Sequence, residues 1–239
     1  MYEQERRQVL YDKKWHCFIK RARLFRHLPF IEFAFGAGSM ALGNVVATSD
    51  FDVLVGVKQG RIFTARFFAA IGFSLFGWRR SKMDHREAAT DKICLNHFVT
   101  PQTYRLSQTV NAYWQDLYSN LVPIYGNNDL VQQFFKANAD WMIKPVIYSG
   151  DMRHQYHTPS KFKIFLESWL SGHFGNWFEK KLKHLQVRRI KKGLKAVKQG
   201  VPHHIALGKG RALTLPPLIR YNDNELEFHP DAAVIEMGK

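Results

Sequence analysis

Two carboxylates, Asp50 and Asp52, flank one apolar residue in the run Ser49-Asp50-Phe51-Asp52-Val53, and apolar character continues to Val57. Side chains alternate along a strand, so Asp50 and Asp52 share one of its faces. Like charges that close repel each other and are costly to bury. The spacing therefore asks for a cation between them, a divalent ion of the magnesium type. Upstream lies a Gly38-Ser39 pair behind another apolar run, PFIEFAF. A turn with so little side chain lets backbone N–H groups approach an anion closely, as phosphate-cradling loops do. Metal and phosphate binding are the chemistry to which the two features point together.

Several elements must hold these residues in place. Residues 3–26 carry Val9, Leu10, Trp15, Phe18, Ile19, Ala22 and Phe25 near helical spacing, with Lys and Arg on the other face, and Pro29 ends that helix before the first strand. A short helix is expected from Gly38 to Asn44, its N-terminus aimed at bound phosphate. The carboxylate strand runs from Phe51 to Val57, and a helix apolar on nearly all sides runs from Arg61 to Phe76. Lys92 to Val99 reads as a third strand, with Cys94 and Asn96 on one face and Ile93, Leu95 and His97 on the other. Helical spacing then returns from Tyr104 to about Pro123 and Gly126, and again after Asp129, a suitable N-cap. From Lys161 a long helix is expected to Gly200, aromatic in its first half and basic in its second. NELEFHP reads as a short strand or tail.

Gly38, Ser39, Ala41, Gly43, Ser49, Asp50, Phe51, Asp52 and Val53 together resemble the nucleotidyltransferase fold of the DNA polymerase beta superfamily. Its signature is a strand, Gly-Ser or Gly-Gly, a spacer of about ten residues, and Asp-x-Asp or Asp-x-Glu on the next strand. The resemblance covers Leu28 to Val99, about a third of the chain. It implies an α/β (α+β) fold: a small mixed β-sheet core flanked by helices, in residues 1–100, and a helical C-terminal lobe in residues 101–239. It also implies a nucleoside triphosphate (NTP) seated on Gly38, Ser39 and Ser49, and Mg²⁺ (or Mn²⁺) held by Asp50 and Asp52. A nucleoside monophosphate would pass to an acceptor hydroxyl. Superfamily members place a third catalytic carboxylate on a later strand. Here Asp91 stands at that strand's start, while Asn96 inside it could serve as a neutral oxygen ligand. Asp84 and Glu87 are further candidates.

Composition sets the partners. The chain has 239 residues, 46% of them hydrophobic, enough for a sizeable core. Its formal net charge of +15 favours polyanions, and with nucleotide chemistry expected, nucleic acid and RNA in particular. Nine basic residues and no acidic one lie between Lys180 and Lys198, among them Lys180, Lys181, Lys183, Arg188, Arg189, Lys191 and Lys192. Such a helix can grip phosphates, lie on an anionic membrane or form a solvated face. Two cysteines cannot build a disulfide framework, the N-terminus is too charged for a signal peptide, and the most apolar segment, Ile62 to Trp78, is short for a bilayer span. A cytoplasmic protein without a transmembrane segment is expected. Asp151, His154 and His157 have metal-ligand character but no strong companion ligand. The alternatives to RNA-directed transfer are a nucleic-acid-binding protein on a catalytically silent core, and transfer to a small molecule or a protein.

Overall fold

The apolar runs pair into one mixed sheet. The computed structural model describes residues 2–80, 89–106, 110–143, 150–155, 157–198, 205–207, 211–213 and 218–229. In chain order these contain α1 (Tyr2–Ala22), β1 (Ile31–Gly36), α2 (Gly38–Ala41), β2 (Phe51–Val57), α3 (Ile62–Leu75), β3 (Ile93–Val99), α4 (Ala112–Ser119), β4 (Val122–Gly126), α5 (Asn128–Asn138), α6 (Lys161–Trp169) and α7 (Gly172–Lys198). The strands β5 (Ile205–Leu207), β6 (Arg211–Leu213), β7 (Leu218–Tyr221) and β8 (Glu225–His229) follow. Six strands form a sheet in the order β4-β1-β2-β3-β8-β7, while β5 and β6 pair separately. Among the described strands of this sheet, only β2 and β3 run parallel, and α3 lies in the crossover between them. The fold is α+β, as the residue pattern requires.

Alternation in β2 divides the core into two layers. Phe51, Val53, Val55 and Val57 point to one face, where they meet α1, α3 and α7 through Trp15, Phe18, Phe63, Phe73 and Leu182. Phe18 stacks on Phe51 with ring centroids 4.6 Å apart. Leu54 points to the other face and joins Phe33, Phe35, Trp114, Tyr118 and Phe134, so α4 and α5 cover that side. Asp52 has the parity of Leu54. The carboxylates therefore face α4 and α5, and α7 lies behind the sheet.

Three expectations are corrected. First, VPIYG is not the end of a helix. It forms β4 on the sheet edge beside β1, where Pro123, with no N–H to donate, is tolerated. Second, the sheet does not stop at residue 100: β4, β7 and β8, from the part expected to be a helical lobe, complete the sheet begun by residues 31–99. Without β8, the backbone of His97, Phe98 and Val99 would lie along an open sheet edge. Third, the long helix from Lys161 is two helices. Gly172 takes φ +75° at the break, a conformation glycine adopts without strain. A smaller difference concerns α5, which is capped by Asn127, whose side chain accepts from the N–H of Asp129.

Two acidic side chains tie α6 and α7 to the rest. The Glu167 carboxylate accepts the N–H of Phe30 at 2.6 Å. Glu179 accepts the N–H groups of Phe63 and Thr64 at 2.9 and 2.8 Å, capping the first turn of α3, which has no side-chain cap of its own. The nearby Gln186 donates to the Phe63 carbonyl at 2.8 Å.

Candidate active site

The parallel register sets Cys94 on β3 directly beside Asp52 on β2. One oxygen each of Asp50 and Asp52 and the Sγ of Cys94 all lie within 4.8 Å of one another. A register shift follows, in which Val53 faces Leu95 but Leu54 faces His97, so Asn96 is the extra residue of a bulge. Its Nδ2 donates to Asp52 Oδ1 at 2.9 Å. The bulge also overturns a face assignment. Phe98 packs with Ile93 behind the sheet and Val99 packs with Leu54 in front, so His97, two residues before Val99, lies on the carboxylate face and not with Ile93 and Leu95.

The Gly38-Ser39 turn closes over this group. A Cβ on Gly38 would stand 2.2 Å from Asp52 Oδ2, and Gly38 has φ +57°. Only glycine fits a backbone placed that close to a carboxylate. The neighbouring Ala37 N–H donates to the Asp52 carbonyl at 3.0 Å, locking the turn to β2. The helix that this pair begins is one turn long, Gly38–Ala41, not the longer Gly38–Asn44 expected. Its dipole is correspondingly small, so anion binding there would rest on local N–H groups. Ser39 is half-buried in this turn.

Charge is crowded here. Burial, and then the charge of Asp50, push the Asp52 carboxyl up from 3.8 to about 7. Burial, and then the same two carboxylates, hold the Cys94 thiol well above its usual range. The Asp52 carboxylate lies deep among protein atoms yet keeps an edge in contact with solvent. Arg80 Nη1 reaches Asp50 Oδ2 at 2.6 Å, and although burial disfavours the guanidinium's charge, Asp50 outweighs it and holds the proton more tightly. Burial, followed by the charge of Asp52, raises the Tyr113 hydroxyl to about 12. The two carboxylates, with an amide beside them, suit a hard divalent cation, which would relieve the repulsion that raises Asp52; the Cys94 thiol is a bystander to such an ion.

Asp91 is elsewhere. Its carboxylate pairs with Lys14 Nζ of α1 at 2.7 Å, and its carbonyl accepts from Arg21. The same Lys14 Nζ donates to the Ser49 carbonyl at 2.8 Å, and the Asp91 N–H donates to that carbonyl at 3.1 Å. Asp91 thus clamps the loop before β2 to α1, and the third position beside Asp50 and Asp52 is taken by Cys94. Ser49 has a similar bracing part, its Oγ accepting the Val46 N–H at 2.9 Å. Asp84 and Glu87 lie outside the described residues. Asp151 is engaged by Arg153 at 2.6 Å, with His154 3.5 Å away.

Residue patterns alone missed Arg80 and Tyr113 as neighbours of the carboxylates, and Lys14 as the partner of Asp91, and their side chains carry no local signal of it; the strand pattern puts Cys94 on the right face without marking it as the third group. A second polar group was also missed. On the same sheet face His97 Nε2 meets Glu225 Oε1 at 3.2 Å, Glu227 lies within 4.8 Å of both, and Arg220 approaches the two carboxylates at 3.5 and 3.7 Å. All three of His97, Glu225 and Glu227 are buried.

The basic residues of α7 do not line the carboxylate site. Lys180, Lys183, His184, Val187, Arg188, Lys191 and Lys192 recur at helical spacing along a groove of about 710 Å³. Lys183 is paired with Asp223 at 2.6 Å. Lys181 lies off this groove, over the Trp177 ring at 5.9 Å, and Arg189 is exposed.

Comparison of the chain with protein-family models, curated proteins and solved structures returned no match. Among the described residues, no helix is long and apolar enough to cross a membrane.

Proposed function

We propose that this chain is a metal-dependent nucleotidyltransferase that moves a nucleoside monophosphate from an NTP to an acceptor hydroxyl. The observation that carries the reading is the packing of Gly38 on Asp52 Oδ2, which makes the glycine turn and the paired carboxylates one site. Asp50 and Asp52 would hold Mg²⁺ or Mn²⁺ through their oxygens, with Asn96 and the Cys94 thiol beside them. A cation bound there supplies charge neutralisation to the triphosphate and to the phosphorus under attack.

The side chains divide the remaining work. Asn96 holds Oδ1 of Asp52, which fixes the carboxylate with Oδ2 turned to Gly38. The absent Gly38 side chain leaves the triphosphate room to approach the carboxylates, with the backbone of the Gly38-Ser39 turn beside it. Arg80 balances Asp50 in the absence of other cations and offers a guanidinium to phosphate. The Lys14–Asp91 clamp keeps the loop carrying Asp50 in register with β3. In the transfer the acceptor hydroxyl gives its proton to solvent as its oxygen bonds to the α-phosphorus, the bond from that phosphorus to the bridging oxygen breaks, and pyrophosphate leaves with that electron pair.

RNA is the acceptor class that the overall charge of +15 favours, and two free cysteines fit a cytoplasmic setting. A specific observation supports a second reading. The third site position is a thiol and Asp91 is engaged by Lys14, which suits a protein that binds nucleotide or nucleic acid without transferring. Incubation with each α-³²P-labelled NTP, Mg²⁺ or Mn²⁺ and total cellular RNA decides between them, with an Asp50→Ala/Asp52→Ala control. Label on RNA that the control abolishes supports transfer to RNA, and label on the protein or on small metabolites moves the acceptor. No label on any of these refutes transfer and leaves the binding reading.

A further inference from the structure

The outer surface of α6 and the first turns of α7 are apolar where a solvated helix pair would be polar. Phe162, Phe165 and Trp169 follow at helical spacing along α6 and are 58%, 66% and 59% exposed. Trp169 meets Phe174 at a centroid distance of 5.0 Å, and Phe174 meets Trp177 at 5.9 Å, so the rings form one continuous band across the break between the helices. Lys181 lies over the far end of that band, and the basic groove of α7 continues from there. Exposed apolar surface of this extent marks a docking site.

Charge identifies what docks. Between Lys161 and Lys198 there are two acidic residues, Glu167 and Glu179. Both turn inward to accept backbone N–H groups of Phe30 and of α3. The outward surface carries aromatic rings and cations without a carboxylate of its own, and among the described residues Asp223 is paired with Lys183. Trp and Phe beside Lys and Arg are the groups that settle at a bilayer interface, with rings at the headgroup level and ammonium groups among anionic phosphates. Aliphatic side chains are exposed there too, Ile164 by 54% and Leu185 by 61%. These offer no face for a nucleic-acid base to stack on but partition readily into lipid. The surface also lies behind the sheet, away from Asp50 and Asp52.

We infer that the α6–α7 surface docks the protein on an anionic membrane, its aromatic band entering the interface and the basic stripe of α7 contacting lipid headgroups. This does not depend on the nucleotidyltransferase reading.

The test is co-sedimentation of the full chain with phosphatidylcholine vesicles, with and without phosphatidylglycerol, alongside quenching of tryptophan fluorescence by brominated lipid. Binding to the anionic vesicles is expected, with quenching. Phe165→Gln/Trp169→Gln should lower partitioning about tenfold or more, and Lys191→Gln/Lys192→Gln should lower it for anionic vesicles alone. All four side chains are exposed, so unchanged urea unfolding of the variants shows that folding is intact. Absence of vesicle binding, or equal binding by Phe165→Gln/Trp169→Gln, overturns the inference. So does a result in which single-stranded RNA binds, that variant loses it, and vesicles are ignored, which would make the band a base-stacking platform.

Discussion

Replacing Asp52 by Asn removes one of two charges that the fold forces together, and its effect on stability has a definite sign. The Asp52 carboxyl is raised from 3.8 to about 7 by burial and by Asp50. A carboxyl with a raised pKa stabilises the fold while protonated. That contribution is complete below about pH 4 and is lost as pH rises through about 7. The gap of about three pH units corresponds to about 4 kcal/mol at about 1.4 kcal/mol per unit, and the edge of Asp52 in contact with solvent reduces this to about 2 kcal/mol. The Asp52→Asn variant keeps an oxygen to accept from Asn96 Nδ2, so hydrogen bonding is preserved while the charge is gone. In urea unfolding with EDTA, wild type should lose about 1 kcal/mol between about pH 5 and pH 8.5, the rest of the loss falling between about pH 4 and pH 5, and the variant should lose much less. At about pH 8.5 the variant should therefore be the more stable protein. Adding Mg²⁺ or Mn²⁺ at that pH should restore wild type and leave the variant unmoved, because ligand binding to the folded state is the source of the gain. Equal pH dependence in both proteins would refute the electrostatic account of the site. Equal stabilisation of both by metal would refute Asp52 as a ligand.

Two further substitutions separate bracing from binding. Asp91→Asn leaves the Lys14 ammonium, 5% exposed, without its carboxylate. The expected loss is about 2 kcal/mol in urea unfolding, with Mn²⁺-dependent stabilisation retained; a stable variant that no longer responds to Mn²⁺ would instead make Asp91 a ligand. Gly38→Ala places a Cβ 2.2 Å from Asp52 Oδ2 in a backbone conformation that disfavours it. It should destabilise the fold by about 1–2 kcal/mol and abolish the metal response at about pH 8.5, and an unchanged response measured by thermal unfolding would detach the turn from the site.

What the sequence by itself determined is local. Strict alternation placed Asp50 and Asp52 on one face of β2, the apolar run of α3 indicated a helix packed on the sheet, although its end leaves Ile71 and Leu75 exposed, and the Gly-Ser pair marked the tight bend at the start of α2. Each of these depends on residues a few positions apart, where chain geometry fixes side-chain direction. The structure decided what depends on distant pairing. VPIYG has the composition of a helix end, and it became β4 because β1 presented an open edge. His97 reached the carboxylate face, beside Asn96, because of a bulge formed against β2. Asp91, the natural third acid by position, was drawn to Lys14, 77 positions earlier, because a buried ammonium requires a carboxylate and α1 lies against that loop. The basic residues of α7 were plain in the sequence, but their place behind the sheet was not. Periodicity identifies the face a helix buries, and only tertiary packing decides which side of the sheet receives it.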